Sequence, residues 1–254
     1  MNWEFINRSF SYTDLSCLIL LFSLGSIIGG FYYFAAMCVI SEEGQRKGRI
    51  RYDNCGHKLT AINLILVLSF LPLKGRCRYC RRRLLYRFLL SKLFLGFVYD
   101  LTYFRFLKID LSILCLLSLF GLLLVLSLVD FKSYIIPDWI IVAGIINRFI
   151  DPKLWLDLGY DLYRIFESLL LSGIVWLLAW IMNKINKKEN FGGGDIKLVF
   201  AIGLYTGFYY GIWVLLWSCL IGLVYALRVK KRRIPFGPFL SVSTMFVLLY
   251  RGLI

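Results

Sequence analysis

Phe191-Gly192-Gly193-Gly194-Asp195-Ile196-Lys197 is a run of three glycines that delivers one carboxylate to the start of an apolar segment. A second acid, Asp130, lies at the far end of another apolar run, directly after Leu128-Val129. Ionisable groups in segments apolar enough to enter a membrane are costly, and by default they mark functional sites. The sequence therefore predicts that Asp130 and Asp195 act as a pair.

Apolar residues dominate the chain on both sides of these two acids. Of its 254 residues, 59% are hydrophobic. Apolar runs of about 20 residues recur, and runs of that length are typical of helices that cross a membrane. The predicted fold class is therefore an all-α membrane protein with about eight transmembrane helices, whose partner is the lipid bilayer. The net charge of +15 does not indicate nucleic-acid binding, because the basic residues fall between the apolar runs.

Charge placement predicts how the helices are oriented. Residues 41–92 carry thirteen Lys and Arg against three acids, and the positive-inside rule assigns such a loop, between helices 1 and 2, to the cytosol. Alternation then places both chain ends outside and both candidate acids at the cytosolic face, with residues 151–167 as an outside loop. The predicted spans are 15–40, 88–107, 111–129, 135–149, 169–182, 196–210, 212–227 and one that begins at residue 234.

Two carboxyl groups can cleave an amide when one is ionised and activates water while the other, protonated, polarises the carbonyl. The residues alone leave simpler interpretations open. The glycine run can be a loop that ends in an N-cap aspartate, and Asp130 can be an interfacial acid paired with Lys132.

Other polar residues near the two acids also have two interpretations. Asp138 follows Pro137 at a predicted helix start, where a carboxylate caps the helix or offsets its dipole. Lys197 either neutralises a nearby acid or extends toward the membrane surface. The segment 235–238 either breaks a helix to admit an extended peptide or ends a loop.

The seven cysteines fall into two groups. Cys55, Cys77 and Cys80 lie in the basic loop at a spacing typical of metal ligands, and disulfides are disfavoured there if the loop is cytosolic. The other four lie in apolar runs and are expected to be packing residues; they are Cys17, Cys38, Cys115 and Cys219.

Taken together, these motifs resemble the bacterial type IV prepilin peptidases, a leader peptidase and N-methyltransferase family of GxGD-type membrane aspartic proteases. The resemblance rests on Asp130 with Pro137-Asp138, on Phe191-Gly-Gly-Gly-Asp195-Ile-Lys197, on Pro235-Phe-Gly237-Pro238, and on the loop cysteines with Cys55-Gly-His57. It implies that Asp130 and Asp195 are the catalytic acids. The residues expected to support the site or the substrate are Gly192, Gly193, Gly194, Lys197, Pro137, Asp138, Pro235, Gly237 and Pro238.

The resemblance also implies an activity and a division of the chain. The expected activity is cleavage of the basic leader from type IV pilin or pilin-like (pseudopilin) precursors, at the cytosolic face of the bacterial cytoplasmic membrane. Residues 1–107 correspond to an amino-terminal half with two spans, in which 41–87 is a degenerate zinc-ribbon and methyltransferase-like region. Residues 108–254 correspond to a six-helix aspartic peptidase half, which needs no cofactor.

Two family features are altered in this sequence. The family's zinc ribbon has four cysteines, but Tyr52 stands at the first position, so zinc binding by Cys55, Cys77 and Cys80 stays open. Methylation with S-adenosylmethionine stays open as well, because Tyr33, Cys38 and Lys92 stand where the family commonly has asparagine, arginine and glutamate.

Two alternative functions come from other classes. A proton- or cation-coupled transporter also uses membrane acids, but it predicts a midplane site and inverted repeats. An inactive membrane scaffold of a pilus or competence system would explain the altered loop, although it gives no role to the two intact acids.

Overall fold

The computed structural model describes residues 12–44, 86–107, 109–151, 158–186, 192–229 and 234–251. Within these residues the chain forms seven helices and no strands. They are α1 (Tyr12–Gly44), α2 (Tyr86–Phe106), α3 (Leu111–Ser133), α4 (Asp138–Ile150), α5 (Leu158–Asn186), α6 (Gly193–Val229) and α7 (Gly237–Arg251).

Four of these helices contain segments long and apolar enough to cross a membrane: Leu15–Ile40, Leu111–Ser133, Leu162–Ile185 and Gly193–Val229. The predicted all-α class is therefore confirmed for the described residues, and the four segments are candidate membrane spans. The count of eight spans stays a prediction. The cysteine-containing loop lies outside the described residues.

The first compact unit contains residues 12–31 of α1 together with α2. Glycines bring the two helices together: a Cβ atom on Gly25 would lie 2.9 Å from the Cα of Gly96, and one on Gly29 would lie 2.9 Å from the carbonyl oxygen of Ser91. Small residues at such crossings let two backbones approach closely in a membrane.

The second compact unit contains α1 from Tyr32 onward and helices α3 to α7. Helix α3 packs against α4 and α7, and α6 packs against α4, α5 and α7. The core lies where these helices meet and is built from aliphatic side chains such as Leu126, Leu198 and Leu240. The predicted division of the chain at residue 107 stays a prediction.

Helix α6 is broken at Gly207, whose φ of 72° and ψ of −176° are not helical. The break frees carbonyl groups at the end of the first half of α6, and unsatisfied carbonyls are costly away from water. Two guanidinium groups satisfy them. Arg251 donates from Nη1 to the Thr206 oxygen at 2.9 Å, and Arg148 donates from Nε to the Leu204 oxygen at 3.3 Å.

The predicted outside loop at 151–167 is wrong in its second half, because α5 begins at Leu158 and runs to Asn186. The charged residues of this stretch lie on the helix instead. Arg164 and Glu167, three residues apart, form a salt bridge of 3.3 Å. Pairs at this spacing support a helix, so the charges extend α5 where the sequence had been interpreted as a loop.

The outer surface of the second unit is strongly apolar. Large side chains on one side of α5 are open to the surroundings, including Leu162, Phe166 and Trp176. A contiguous apolar surface of this kind is typical of contact with lipid.

Candidate active site

Asp130 lies in the last turn of α3 and is almost fully buried, with 4% of its surface exposed. The helix ends at Ser133 because Tyr134 adopts a left-handed conformation, with φ of 58°, and donates its N–H to the Asp130 carbonyl at 2.9 Å. The Asp130 carboxyl group accepts a different bond. Its Oδ2 atom receives the backbone N–H of Gly237 at 2.8 Å.

Asp195 lies in the first turn of α6, where its backbone N–H donates to the Gly192 carbonyl at 3.1 Å. The glycine run has a local steric reason. A Cβ atom on Gly194 would lie 3.1 Å from the Cβ of Ile136, which precedes α4. Glycine therefore lets the start of α6 approach the segment that follows Asp130. Gly193 has open space around it, so packing does not account for that residue.

Asp130 and Asp195 are close enough for their charges to interact, although 65 positions separate them in the sequence. Among the described residues, neither forms a salt bridge with a cation. In the described part of the chain, no ion pair joins Asp130 to Lys132. The structure therefore does not support the interpretation of Asp130 as an acid paired with Lys132. Each acid lies at the end of a helix, and the start of α6 approaches the segment that follows α3 where Gly194 lies against Ile136.

Asp138 and Lys197 form a second contact at this end of the unit. Lys197 donates from Nζ to Asp138 Oδ1 at 2.8 Å, and the two side chains are 57% and 69% exposed. Lys197 thus neutralises a nearby acid, the first of its two interpretations. Asp138 does not act as an N-cap side chain, because Pro137 holds the N-cap position of α4. The bridge ties the starts of α4 and α6 together beside Asp195.

The segment 235–238 forms the start of α7 and reaches Asp130 through its backbone. Pro235 and Gly237 are buried, and Pro238 is half-buried. The prolines and glycine marked this segment in the sequence, but its hydrogen bond to Asp130 could not be predicted because a backbone N–H has no signature in the sequence.

A set of polar residues lies at the opposite end of α3, and the sequence analysis did not identify it. Arg148 bridges Asp151 at 3.1 Å, and Asp151 accepts the Ser112 hydroxyl at 2.7 Å. Beside them, Asn147 donates to the Tyr205 hydroxyl at 3.1 Å. The signal was Asn147-Arg148, two polar residues within an apolar run. All these groups have partners, which indicates a structural role.

The residues that bear on zinc binding and on methylation are only partly described. Cys55, Cys77 and Cys80 lie outside the described residues, and no cluster of metal ligands occurs elsewhere in the described part of the chain. Lys92 is buried in the first unit, with its ammonium group 4.4 Å from the centre of the Phe88 ring.

An arrangement of this kind can carry out acid and base chemistry. Two neighbouring carboxyl groups without a cation share a proton readily, because ionising both of them costs repulsion. One group can then accept a proton from water while the other donates one.

Two parts of the chain match known families. Residues 117–227 match the type IV leader peptidase family, and residues 23–106 match the bacterial peptidase A24 N-terminal domain. No solved structure is significantly similar to the chain.

Curated relatives are similar over most of the chain. The prepilin leader peptidase/N-methyltransferase of Pseudomonas putida is 30% identical over 211 residues, which cover 77% of this chain and 70% of that protein. The enzyme of the same name from Dichelobacter nodosus is 29% identical over 211 residues, covering 79% and 70%. That of Aeromonas salmonicida is 30% identical over 214 residues, covering 77% and 69%.

The helices and the acid pair first define a class: a multi-pass membrane protein with two carboxyl groups at one end of its second unit. Within that class, the chain belongs to the type IV leader peptidase family. The predicted family and the prediction that the chain is a peptidase are confirmed. These matches favour neither the transporter nor the inactive scaffold.

Proposed function

We propose that this chain is an aspartic endopeptidase that cleaves the basic leader from type IV pilin or pilin-like precursors, with Asp130 and Asp195 as its catalytic acids. The observation that carries the proposal is that these two acids, on helices far apart in the sequence, interact electrostatically and have no cation partner in the described residues, while Gly194 brings the start of α6 against the segment after Asp130. The names of the relatives support a prepilin as the substrate.

In the proposed reaction, one water molecule lies between the two carboxyl groups. The ionised carboxylate takes a proton from the water as its oxygen attacks the carbonyl carbon of the substrate. The protonated partner donates its proton to the carbonyl oxygen. The tetrahedral intermediate then collapses and the C–N bond breaks. The amine leaves with the proton that the first carboxylate had taken, and one hydroxyl of the new carboxyl product returns its proton to the second carboxylate.

The proposed orientation places this site at the cytosolic face of the cytoplasmic membrane. The break at Gly207 supports eight spans from seven helices, because it divides α6 into two segments, as the sequence predicts for 196–210 and 212–227. The basic residues of 41–92 support a cytosolic loop. Single cysteines introduced at residues 45 and 110, in a variant whose seven native cysteines are replaced by alanine, test this. A thiol reagent that cannot cross the membrane should label residue 110 in intact cells, and residue 45 only after lysis.

N-methylation is a separate question. The relatives carry this activity in their names. Tyr33, Cys38 and Lys92 depart from the family pattern and oppose its transfer to this chain. Mass spectrometry of the processed substrate, with and without S-adenosylmethionine, tests the activity. Metal analysis of the purified protein tests zinc binding by the loop cysteines.

The experiment that tests the peptidase proposal uses purified protein in lipid vesicles and a precursor with a basic leader before its apolar helix. Release of the leader is expected from the wild type and not from Asp130→Ala or Asp195→Ala. Asp110→Asn is the matched control. Asp110 caps α3 by accepting the Ile113 N–H at 2.9 Å, and asparagine caps equally well. Full activity after either active-site change would refute the assignment.

A further inference from the structure

The start of α7 presents one backbone donor to the acid pair. The first N–H groups of a helix have no partner within it. Here Pro238 has no N–H, and the N–H of Phe239 bonds back to the Phe236 carbonyl at 3.1 Å. The N–H of Gly237 instead donates to Asp130 Oδ2 at 2.8 Å, and its donor and acceptor are both buried.

The position of Gly237 leaves no room for a side chain. A Cβ atom there would lie 2.7 Å from Asp130 Oδ2 and 2.9 Å from the Cδ2 atom of Leu126, one turn earlier on α3. Both contacts are closer than a carbon atom tolerates. Glycine therefore lets the N–H of residue 237 reach the carboxyl group without displacing the side chain of Asp130 or Leu126.

We propose that Gly237 is a positioning residue for the reaction, a role that rests on the proposed peptidase function. Its N–H holds one oxygen of Asp130, so the carboxyl group cannot rotate, and the other oxygen stays available to the water and to Asp195. Hydrogen bonds to charged groups are among the strongest in proteins, which suits this fixing role. The start of α7 thus builds the site through its backbone.

The test distinguishes the effect of the Gly237 N–H group from the effect of having no side chain at this position. Replacing Gly237 by glycolic acid, through a suppressor transfer RNA, turns the amide into an ester that lacks the N–H and adds no Cβ. We expect kcat to fall about ten- to hundredfold, as for loss of a hydrogen bond to a charged group, with KM within about twofold. Gly237→Ala should lower kcat at least as much, because it adds the clash.

Two matched controls report on structural effects. The same ester change at Phe239 removes an N–H that only closes the first turn of α7, and we expect kcat to stay within about twofold. Gly173→Ala adds a Cβ atom that would meet no neighbour within 4 Å, and it should leave kcat unchanged. Wild-type kcat in the Gly237 ester, or an equal loss in both esters, would overturn the proposal.

Infrared spectroscopy reads the same bond without substrate. The carboxyl band of Asp130, assigned by its disappearance in Asp130→Asn, should shift in the Gly237 ester and not in the Phe239 ester. If the band shifts in the Gly237 ester but the wild-type protein cleaves no precursor, the peptidase function is refuted. The hydrogen bond from Gly237 to Asp130 would still be supported. An unshifted band would refute the positioning role even if the wild type is an active peptidase.

Discussion

Helix α3 carries an acidic site at each end, and the two sites differ in how their charges are matched. At its start, Ser112 bonds Asp151, which also pairs with Arg148 at 3.1 Å. At its end, Asp130 interacts electrostatically with Asp195, and neither acid pairs with a cation among the described residues. The two ends are 18 residues apart, or roughly 27 Å along the helix axis.

This difference suggests different roles for aspartates at the two ends of α3: a structural role at its start and a functional role at its end. The paired acid at the start of α3 lies among hydrogen bonds that join α3, α4 and α6. The two acids at its end repel each other when both are ionised, and natural proteins retain such costly arrangements at functional sites. Activity and stability should therefore respond in opposite ways to changes at the two ends.

The largest effect is expected from Asp130→Asn or Asp195→Asn. Either change removes a proton acceptor or donor, so precursor cleavage should fall at least about a thousandfold. Thermal unfolding in detergent should show a midpoint equal to or above that of the wild type, because a repulsive pair is lost. Unfolding at a markedly lower temperature would mean that Asp130 and Asp195 stabilise the fold. The two ends of α3 would then not differ in role.

The next largest effect is expected from Arg148→Met. The change removes the buried salt bridge between Arg148 and Asp151, and breaking a buried pair from one side costs about 3–5 kcal/mol of unfolding free energy. Cleavage per folded molecule should stay within about twofold. Adding Asp151→Leu should recover much of the stability. A large loss of kcat in the folded fraction would show that this end of α3 takes part in the reaction.

A smaller loss is expected from Gly207→Ala at the break in α6. Its backbone conformation is almost restricted to glycine, and a Cβ atom would collide with the Arg164 guanidinium group. The backbone strain alone should cost about 1–3 kcal/mol of unfolding free energy. Gly173→Ala on α5 is the control, expected to be neutral. Equal stability of both variants would mean that α6 is continuous through residue 207.

The smallest effect is expected from the exposed bridge between Asp138 and Lys197. Surface pairs contribute about 0–1 kcal/mol, so Asp138→Asn should lower the unfolding free energy by less than about 1 kcal/mol, and less at high salt. The exchange Asp138→Lys with Lys197→Asp should restore the wild-type value. A loss of several kcal/mol that is insensitive to salt would mean that the bridge is shielded from water.

The sequence predicted those features that depend on local pattern. The apolar run before Asp130 predicted α3, and the glycine run predicted that Asp195 lies in the first turn of a helix. Gly25 and Gly29, small residues in an apolar run, lie at a close helix contact. Each of these features is fixed by composition or spacing within a few turns.

The features that were missed depend on tertiary contacts. The start of α5 at Leu158 was missed because charges that pair along a helix were interpreted as a loop. The capping of α6 by Arg148 and Arg251 joins residues at least 45 positions apart. The bond from Gly237 to Asp130 joins residues 107 positions apart through a backbone N–H, which every residue except proline has.

The central claim is that Asp130 and Asp195 form one catalytic unit, and a double-mutant cycle tests it most directly. Single-turnover cleavage of a prepilin precursor would be measured for the wild type, for Asp130→Asn, for Asp195→Asn and for the double variant. Residues that act as a unit are strongly non-additive, so each single variant should be nearly as slow as the double variant. Losses that multiply, or a single variant that keeps wild-type cleavage, would contradict the claim.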